Sequence, residues 1–193
     1  METCQNVINY LISKQKYTRF LEIGVRENNG VLSINHINCE HKDGVDIMPN
    51  RCNYTMTSDK FFKTIPSSRM YDIIFVDGDH ERSQVFKDIN NCLNHLNEGG
   101  VILCHDINPP SEMHLLPRYS HSAWEAWAEL RSTRTDLEMY AMNVDLGPGI
   151  IRKGNQKIYS DKIKYTWDYL NANRKQLLNE ISVDEFKSIF GSK

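Results

Sequence analysis

Two ten-residue stretches, YDIIFVDGDH at 71–80 and GGVILCHDIN at 99–108, place acidic and imidazole side chains directly after apolar runs. A continuous apolar run of this length suits a strand buried on both faces of a parallel sheet. One crossover joins the two runs, and right-handed crossovers make successive strands parallel. If adjacent, the two strands lie about 4.8 Å apart, and Asp77 and Asp106 emerge side by side at one sheet edge. Two carboxylates that close repel unless a proton or a cation joins them. A hard divalent ion is the natural guest, because it takes oxygen ligands and keeps waters that a substrate can displace. Without it, one aspartate should carry a raised pKa. Asp79, His80, His105 and Asn108 add polar groups at the same edge. The competing reading makes Asp79 a helix cap and Asp106 a loop cap.

Three earlier motifs point to a bound small molecule. FLEIGVRENNG at 20–30 reads as a strand ending in Glu22, then Gly24, then a turn. Glycine there lets backbone approach a ligand, and a following helix would offer free N–H groups. A dinucleotide site would want G-x-G-x-x-G for its pyrophosphate; only Gly24 and Gly30 occur, and the carboxylate of Glu22 suits a cationic amino-acid ligand better. Asp46 ends the next strand, about two dozen residues after Glu22, where an acid can accept both hydroxyls of a ribose. Together Glu22 and Asp46 favour an adenosine-type cofactor. Ser58 and Asp59 follow a third strand; they either cap the next helix or lie beside an adenine ring at the sheet edge.

The elements that must position these groups alternate. Strands are expected at 18–23, 45–46, 54–57, 73–76 and 101–104. A helix is expected at 31–37, and another at 80–96, where Val85, Ile89, Cys92 and Leu96 form one apolar face. Residues 107–120 hold Pro109, Pro110 and Pro117 and read as loop. Ser122 and Glu125 have capping-box spacing before a helix to about Arg131. Two last strands, 137–142 and 150–152, flank a turn with Gly147, Pro148 and Gly149. In the tail, Ile163, Trp167, Leu170 and Leu177 mark one apolar stripe, and Ser182 with Glu185 makes a second capping box. Trp124 and Trp127 read as core, with a lid role left open by the loop before them. No linker or repeat is visible, so one domain is expected over 1–193, with a core at about 18–153 and a helical tail at about 160–191.

Composition narrows the function classes. Net charge is −2 and charged residues make up 25% of the 193 residues, so nothing suggests an electrostatic grip on nucleic acid or anionic membrane. No apolar run approaches the roughly 20 residues that cross a bilayer, and the first residues lack a secretory pattern. Five cysteines with no C-x-x-C pair fit a reducing, cytoplasmic location better than a disulfide framework or zinc knuckle. Cys92 and Cys104 read as small core residues.

From Phe20 to Arg152 the motifs, in this order, resemble the class I S-adenosylmethionine (SAM)-dependent methyltransferases. YDIIFVDGDH and GGVILCHDINPP are similar to a narrower group, the macrocin-type sugar O-methyltransferases and their bacterial relatives; SDKFF, DLEMYAMNVDLGPGIIRKG and WDYLNANRKQLLNEISVDEF resemble that group's middle and tail. The resemblance implies a Rossmann-like, doubly wound, seven-stranded sheet with a short N-terminal helix and a C-terminal helical pair. It implies SAM contacts from Glu22, Gly24, Asp46, Ser58, Asp59 and Asp77, a Mg²⁺ on Asp77 and Asp106, and His80 as general base, with Asp77 completing the catalytic pair. Two departures stand out. Asn28 replaces a glycine of the cofactor loop. Ile107 stands where catechol-type relatives have an asparagine, which leaves the third metal ligand open. The expected reaction is methyl transfer to a hydroxyl of a small molecule, a sugar or sugar-bearing metabolite. The acceptor site would be open or completed by a second subunit of a homo-oligomer. The alternatives are a metal-independent N- or O-methyltransferase and a non-catalytic SAM-binding module.

Overall fold

A computed structural model describes residues 1–191. Helix α1 (Cys4–Gln15) opens the chain. Thr3 caps it in a box with Asn6, and Lys16 ends it in the left-handed conformation. Its buried residues, Cys4, Val7, Ile8, Leu11 and Ile12, recur at helical spacing and make one apolar stripe. The strands β1 (Arg19–Ile23), β2 (Glu27–Asn28), β3 (Val31–Leu32), β4 (His41–Asp46) and β5 (Tyr54–Thr55) follow. Then come α2 (Ser58–Thr64), β6 (Tyr71–Val76), α3 (Arg82–Asn94), β7 (Leu96–Cys104), α4 (Ala123–Thr133), the hairpin β8 (Leu137–Met142) and β9 (Gly149–Lys153), α5 (Trp167–Leu177), β10 (Glu180–Ile181) and α6 (Val183–Phe190).

The main sheet runs β5-β4-β1-β6-β7-β9-β8-β10. Neighbours from β5 to β7 are parallel, and β9 is antiparallel to both β7 and β8. The Rossmann-like architecture is therefore present, but with eight strands in the main sheet rather than the expected seven. The extra strand is Glu180–Ile181, which pairs parallel with the end of β8. Two residues between helices carry no strand period, so only their placement beside Ala141 and Met142 reveals them.

Side chains alternate across the sheet. Leu21, Ile74, Val76, Ile102 and Cys104 face a core built with α3, α4 and α5. Phe20, Ile73, Phe75, Val101 and Leu103 face a second core closed by α1 and α6. Both tryptophans of α4 are buried in the first core, and Trp127 Nε1 donates to the Leu178 carbonyl. They hold α4 and the tail together and take no part in a lid. Cys92 and Cys104 are core residues as expected.

Two expected local structures do not form. No helix covers 31–37. Asn29 and Gly30, with φ of 51° and 77°, instead turn the chain into the β2–β3 hairpin, and Ser33–His36 make a single 3₁₀ turn. An Asn-Gly pair is a strong hairpin signal, and the hydroxyl of Ser33 is engaged by Glu22 and by the backbone of Arg26. The capping box at Ser122 also fails, because Ser122 Oγ accepts from the backbone of Arg82 and so ties α4 to α3. The box at Ser182 forms as expected.

Candidate active site

The carboxyl ends of β1, β4, β6 and β7 open into a cavity of about 950 Å³. Gly24 forms its floor at the end of β1. Its φ is +84°, and a Cβ there would lie 2.1 Å from the Asp77 carbonyl oxygen. Strands β1 and β6 thus approach to a distance that only glycine permits. Gly24→Ala is expected to lower stability by about 1–3 kcal/mol from the left-handed backbone alone, with the clash adding to it. A melting temperature equal to wild type would remove this close approach.

Asp46 lines the cavity from the end of β4, and its Oδ1 accepts from the backbone of Met48. Ser58 and Asp59 line it from the first turn of α2. Neither caps that helix; Thr57 does, accepting from the backbone of Lys60. Gln84 Nε2 reaches Ser58 Oγ, Asp59 Oδ1 and Asp88 Oδ1 at 3.2, 3.3 and 3.1 Å and joins α2 to α3. Burial pushes the carboxyl of Asp88 up to about 6.

Glu22 is placed differently. It does not line the cavity but lies beneath it, on the sheet face it shares with Phe20, 1% exposed. Ser33 donates to its Oε1 at 2.5 Å, while Oε2 is buried with no hydrogen-bond partner. Burial pushes this carboxyl up to about 8, against the opposing bond from Ser33.

The chemistry concentrates at the ends of β6 and β7. His80 Nε2 lies 3.4 Å from Asp77 Oδ1 and 3.3 Å from Asp106 Oδ2. His105 Nδ1 lies 3.2 and 3.1 Å from the same two oxygens. Two imidazoles and two carboxylates therefore alternate around a small ring. His80 Nδ1 faces the Tyr119 carbonyl at 2.6 Å, which as an acceptor calls for the Nδ1–H form. Ser120 Oγ donates to Asp106 Oδ1 at 2.6 Å. Asp106 itself has φ of 62°, a conformation that aspartate tolerates better than most residues.

The expected raised carboxyl is absent. Burial opposes ionisation of Asp77, but hydrogen bonds from His105 and His80, and their charge, outweigh it and hold Asp77 at about 2. Asp106 is lowered by the same balance. Burial likewise opposes charge on His80, yet Asp77, Asp106 and the Tyr119 carbonyl raise it to about 9. His105 is raised well above its ordinary value. The expectation weighed two aspartates alone; two histidines from the same motifs supply the countercharge. Asn108 is also not where it was expected. Its side chain points to the tail, donating to Glu180 and accepting from Arg174.

Several lining residues were missed. Gln84 and Asp88 sit on the helix after YDIIFVDGDH, and their i, i+4 spacing on its polar face was the available signal. Arg118 and Tyr119 reach the cavity from the proline-rich loop, and Leu146 from the β8–β9 turn; nothing in the sequence reports such returns.

Residues 17–107 match the family described as a methyltransferase domain. Over those residues the chain is similar to a methyltransferase domain, and its architecture is the class I methyltransferase fold. A methyltransferase from Podospora anserina, solved with S-adenosylhomocysteine (SAH), has a TM-score of 0.60 at 16% identity, covering 78% of this chain and 78% of that one. The O-methyltransferase TomG of tomaymycin synthesis from Streptomyces achromogenes, solved with SAM, has a TM-score of 0.56 at 12% identity, covering 77% and 78%. The MycE methyltransferase of the mycinamycin pathway, solved with Mg and SAH, has a TM-score of 0.50 at 16% identity, covering 81% of this chain and 50% of that one. At these identities the likeness is one of fold. No curated protein matches the sequence. Among the described residues, no helix is long and apolar enough to cross a membrane.

The residues fit the groups this fold implies. Gly24 lines the cavity with bare backbone, because its close approach to Asp77 and Gly78 admits no side chain, and Asp46 offers a carboxylate at the rim. Asp77, His80 and Asp106 offer three ligand atoms within 4.8 Å of one another. Two oxygens and one imidazole nitrogen suit Mn²⁺ or a similar ion, and the two oxygens alone suit Mg²⁺ with waters.

Proposed function

We propose that this methyltransferase moves the methyl group of SAM to a hydroxyl of a small molecule, a sugar or sugar-bearing metabolite, assisted by a divalent cation. The observation that carries the reading is the imidazole of His80 held between Asp77 and Asp106 on the wall of a cavity floored by Gly24. The family match supports methyl transfer. The ligands of the structural relatives support SAM and, in MycE, magnesium; the resemblance to macrocin-type enzymes supports the sugar.

SAM supplies the electrophilic methyl, and a cation on Asp77 and Asp106 would acidify the acceptor hydroxyl. The chain's own groups do the rest. Asp46 accepts hydrogen bonds from a ribose at the end of β4. Ser58, Asp59, Gln84 and Asp88 form a polar wall beyond it. His80 Nε2 takes the hydroxyl proton, and its Nδ1–H bond to Tyr119 holds the ring in place. Against its burial, Asp77, Asp106 and the Tyr119 carbonyl raise His80 to about 9, so it is a strong base once neutral, and a cation on the two aspartates would favour that neutral form. The alcohol oxygen is very weakly acidic, so a strongly basic ring suits the proton transfer.

Calorimetry with SAM and SAH, followed by mass spectrometry of candidate sugars for a gain of one CH₂, tests the reading. Asp46→Ala is expected to weaken SAM binding by about 1–3 kcal/mol through lost charge-assisted hydrogen bonds. Unchanged affinity would remove Asp46 from the site, and no product with any hydroxylic acceptor would leave a SAM-binding module.

A further inference from the structure

His105 has two faces. Its Nδ1 addresses Asp77 and Asp106, while its Nε2 points away, 4.0 Å from Asp145 Oδ2. Cys4 completes that far side. One ligand atom each from Cys4, His105 and Asp145 lie within 4.8 Å of one another. They come from the first turn of α1, the end of β7 and the β8–β9 turn. Cys4 is 1% exposed and the His105 side chain 10%, whereas the Asp145 side chain is 31% exposed and leaves a way in.

We propose that Cys4, His105 and Asp145 form a second cation site, suited to Zn²⁺, behind the Asp77–Asp106 pair. Thiolate, imidazole and carboxylate are the three donor types zinc takes from proteins, and three of them leave a fourth position for water. The surroundings orient each one. A metal-bound imidazole characteristically donates its other N–H to a carboxylate, and His105 Nδ1 has two within reach. The Phe75 ring stands edge-on to His105, with centroids 6.1 Å apart. The backbone N–H of Cys4 donates to Asp145 Oδ2 at 2.7 Å and aims that carboxylate at the thiol. Donor atoms on a tetrahedral zinc lie roughly 3.3–3.6 Å apart, given bonds of about 2.0–2.3 Å, so the 4.0 Å between His105 Nε2 and Asp145 Oδ2 would shorten on binding. Binding forms a Zn–S, a Zn–N and a Zn–O bond. The Cys4 thiol proton, and any proton on His105 Nε2, pass to solvent, and nothing is oxidised. The ion would clip α1 onto the catalytic edge. This site does not depend on the acceptor or on methyl transfer.

The test uses Co²⁺ as a spectroscopic probe and Zn²⁺ as a stabiliser on chelator-treated full-length protein. Wild type is expected to show a thiolate-to-cobalt charge-transfer band at one equivalent, and Zn²⁺ should raise its melting temperature. Cys4→Ser should lose both, with at least a hundredfold weaker binding. Asp106→Asn should keep the band, since a cation on Asp77 and Asp106 has no sulfur ligand. If Cys4→Ser does not fold, Asp145→Asn on the exposed turn should weaken Co²⁺ binding tenfold or more. No band in wild type, an undiminished band in Cys4→Ser, or unchanged affinity in Asp145→Asn would each overturn the site.

Discussion

His80→Ala is expected to lower turnover by roughly 10²–10⁴-fold, the usual worth of a positioned acid–base group, while SAM affinity stays nearly unchanged. The ring lies at the junction of β6 and β7, between two carboxylates, and away from the rim where Asp46 stands. The wild-type pH profile carries the same information. Both aspartates favour the imidazolium, so the proton is retained to about pH 9. The base is the neutral form, so without added cation turnover should climb as pH rises and level off above about 9. A cation competes with that proton, so saturating Mg²⁺ or Mn²⁺ should move the inflection to lower pH. A mutant with near-normal turnover at every pH would assign the proton to another group, with His105 the nearest.

The second large effect concerns Asp106. Asp106→Asn, or excess chelator on wild type, is expected to lower turnover by roughly 10²-fold or more, corresponding to loss of about 3 kcal/mol of charge stabilisation. SAM affinity should change little. Asparagine accepts the left-handed backbone that Asp106 adopts, and its amide oxygen can still accept from Ser120. The metal-free protein should remain folded, because His80 and His105 already neutralise the two carboxylates. Full turnover in excess chelator would favour the metal-independent reading. Asp106→Asn would then still be impaired, with its pH inflection below about 9, because the raised pKa of His80 rests partly on the Asp106 charge.

Much of this was legible in the chain. The strands ending at Ile23, Val76 and Cys104 each carry a strong local signal, an apolar run stopped by a polar residue or glycine, whereas the strand ending at Asp46 (HKDGVD) shows only Val45 before its acid. Once those strands are parallel neighbours, Gly24, Asp46, Asp77, His80, His105 and Asp106 have to share an edge. The hairpin at 27–32 was misread because Val31, Ile34 and Ile37 also fit a helical period, and the Asn29-Gly30 turn outweighed it. Strand β10 was invisible because two residues have no period.

The sequence alone determined where strands β1, β4, β6 and β7 end, and with it that Gly24, Asp46, Asp77 and Asp106 meet at the carboxyl edge. Strand period and crossover handedness are local or near-local properties, so they can be read from neighbours in the chain. Only the tertiary structure decided the electrostatics. The protonation of Asp77 and Asp106 depends on where two imidazoles point, Glu22 lies beneath the cavity because strand alternation turns it there, and Asn108 is drawn to Arg174 and Glu180, about seventy residues away. Charge interactions in a partly dry site change with each ångström of separation, and those separations exist only once the loops have returned to the sheet.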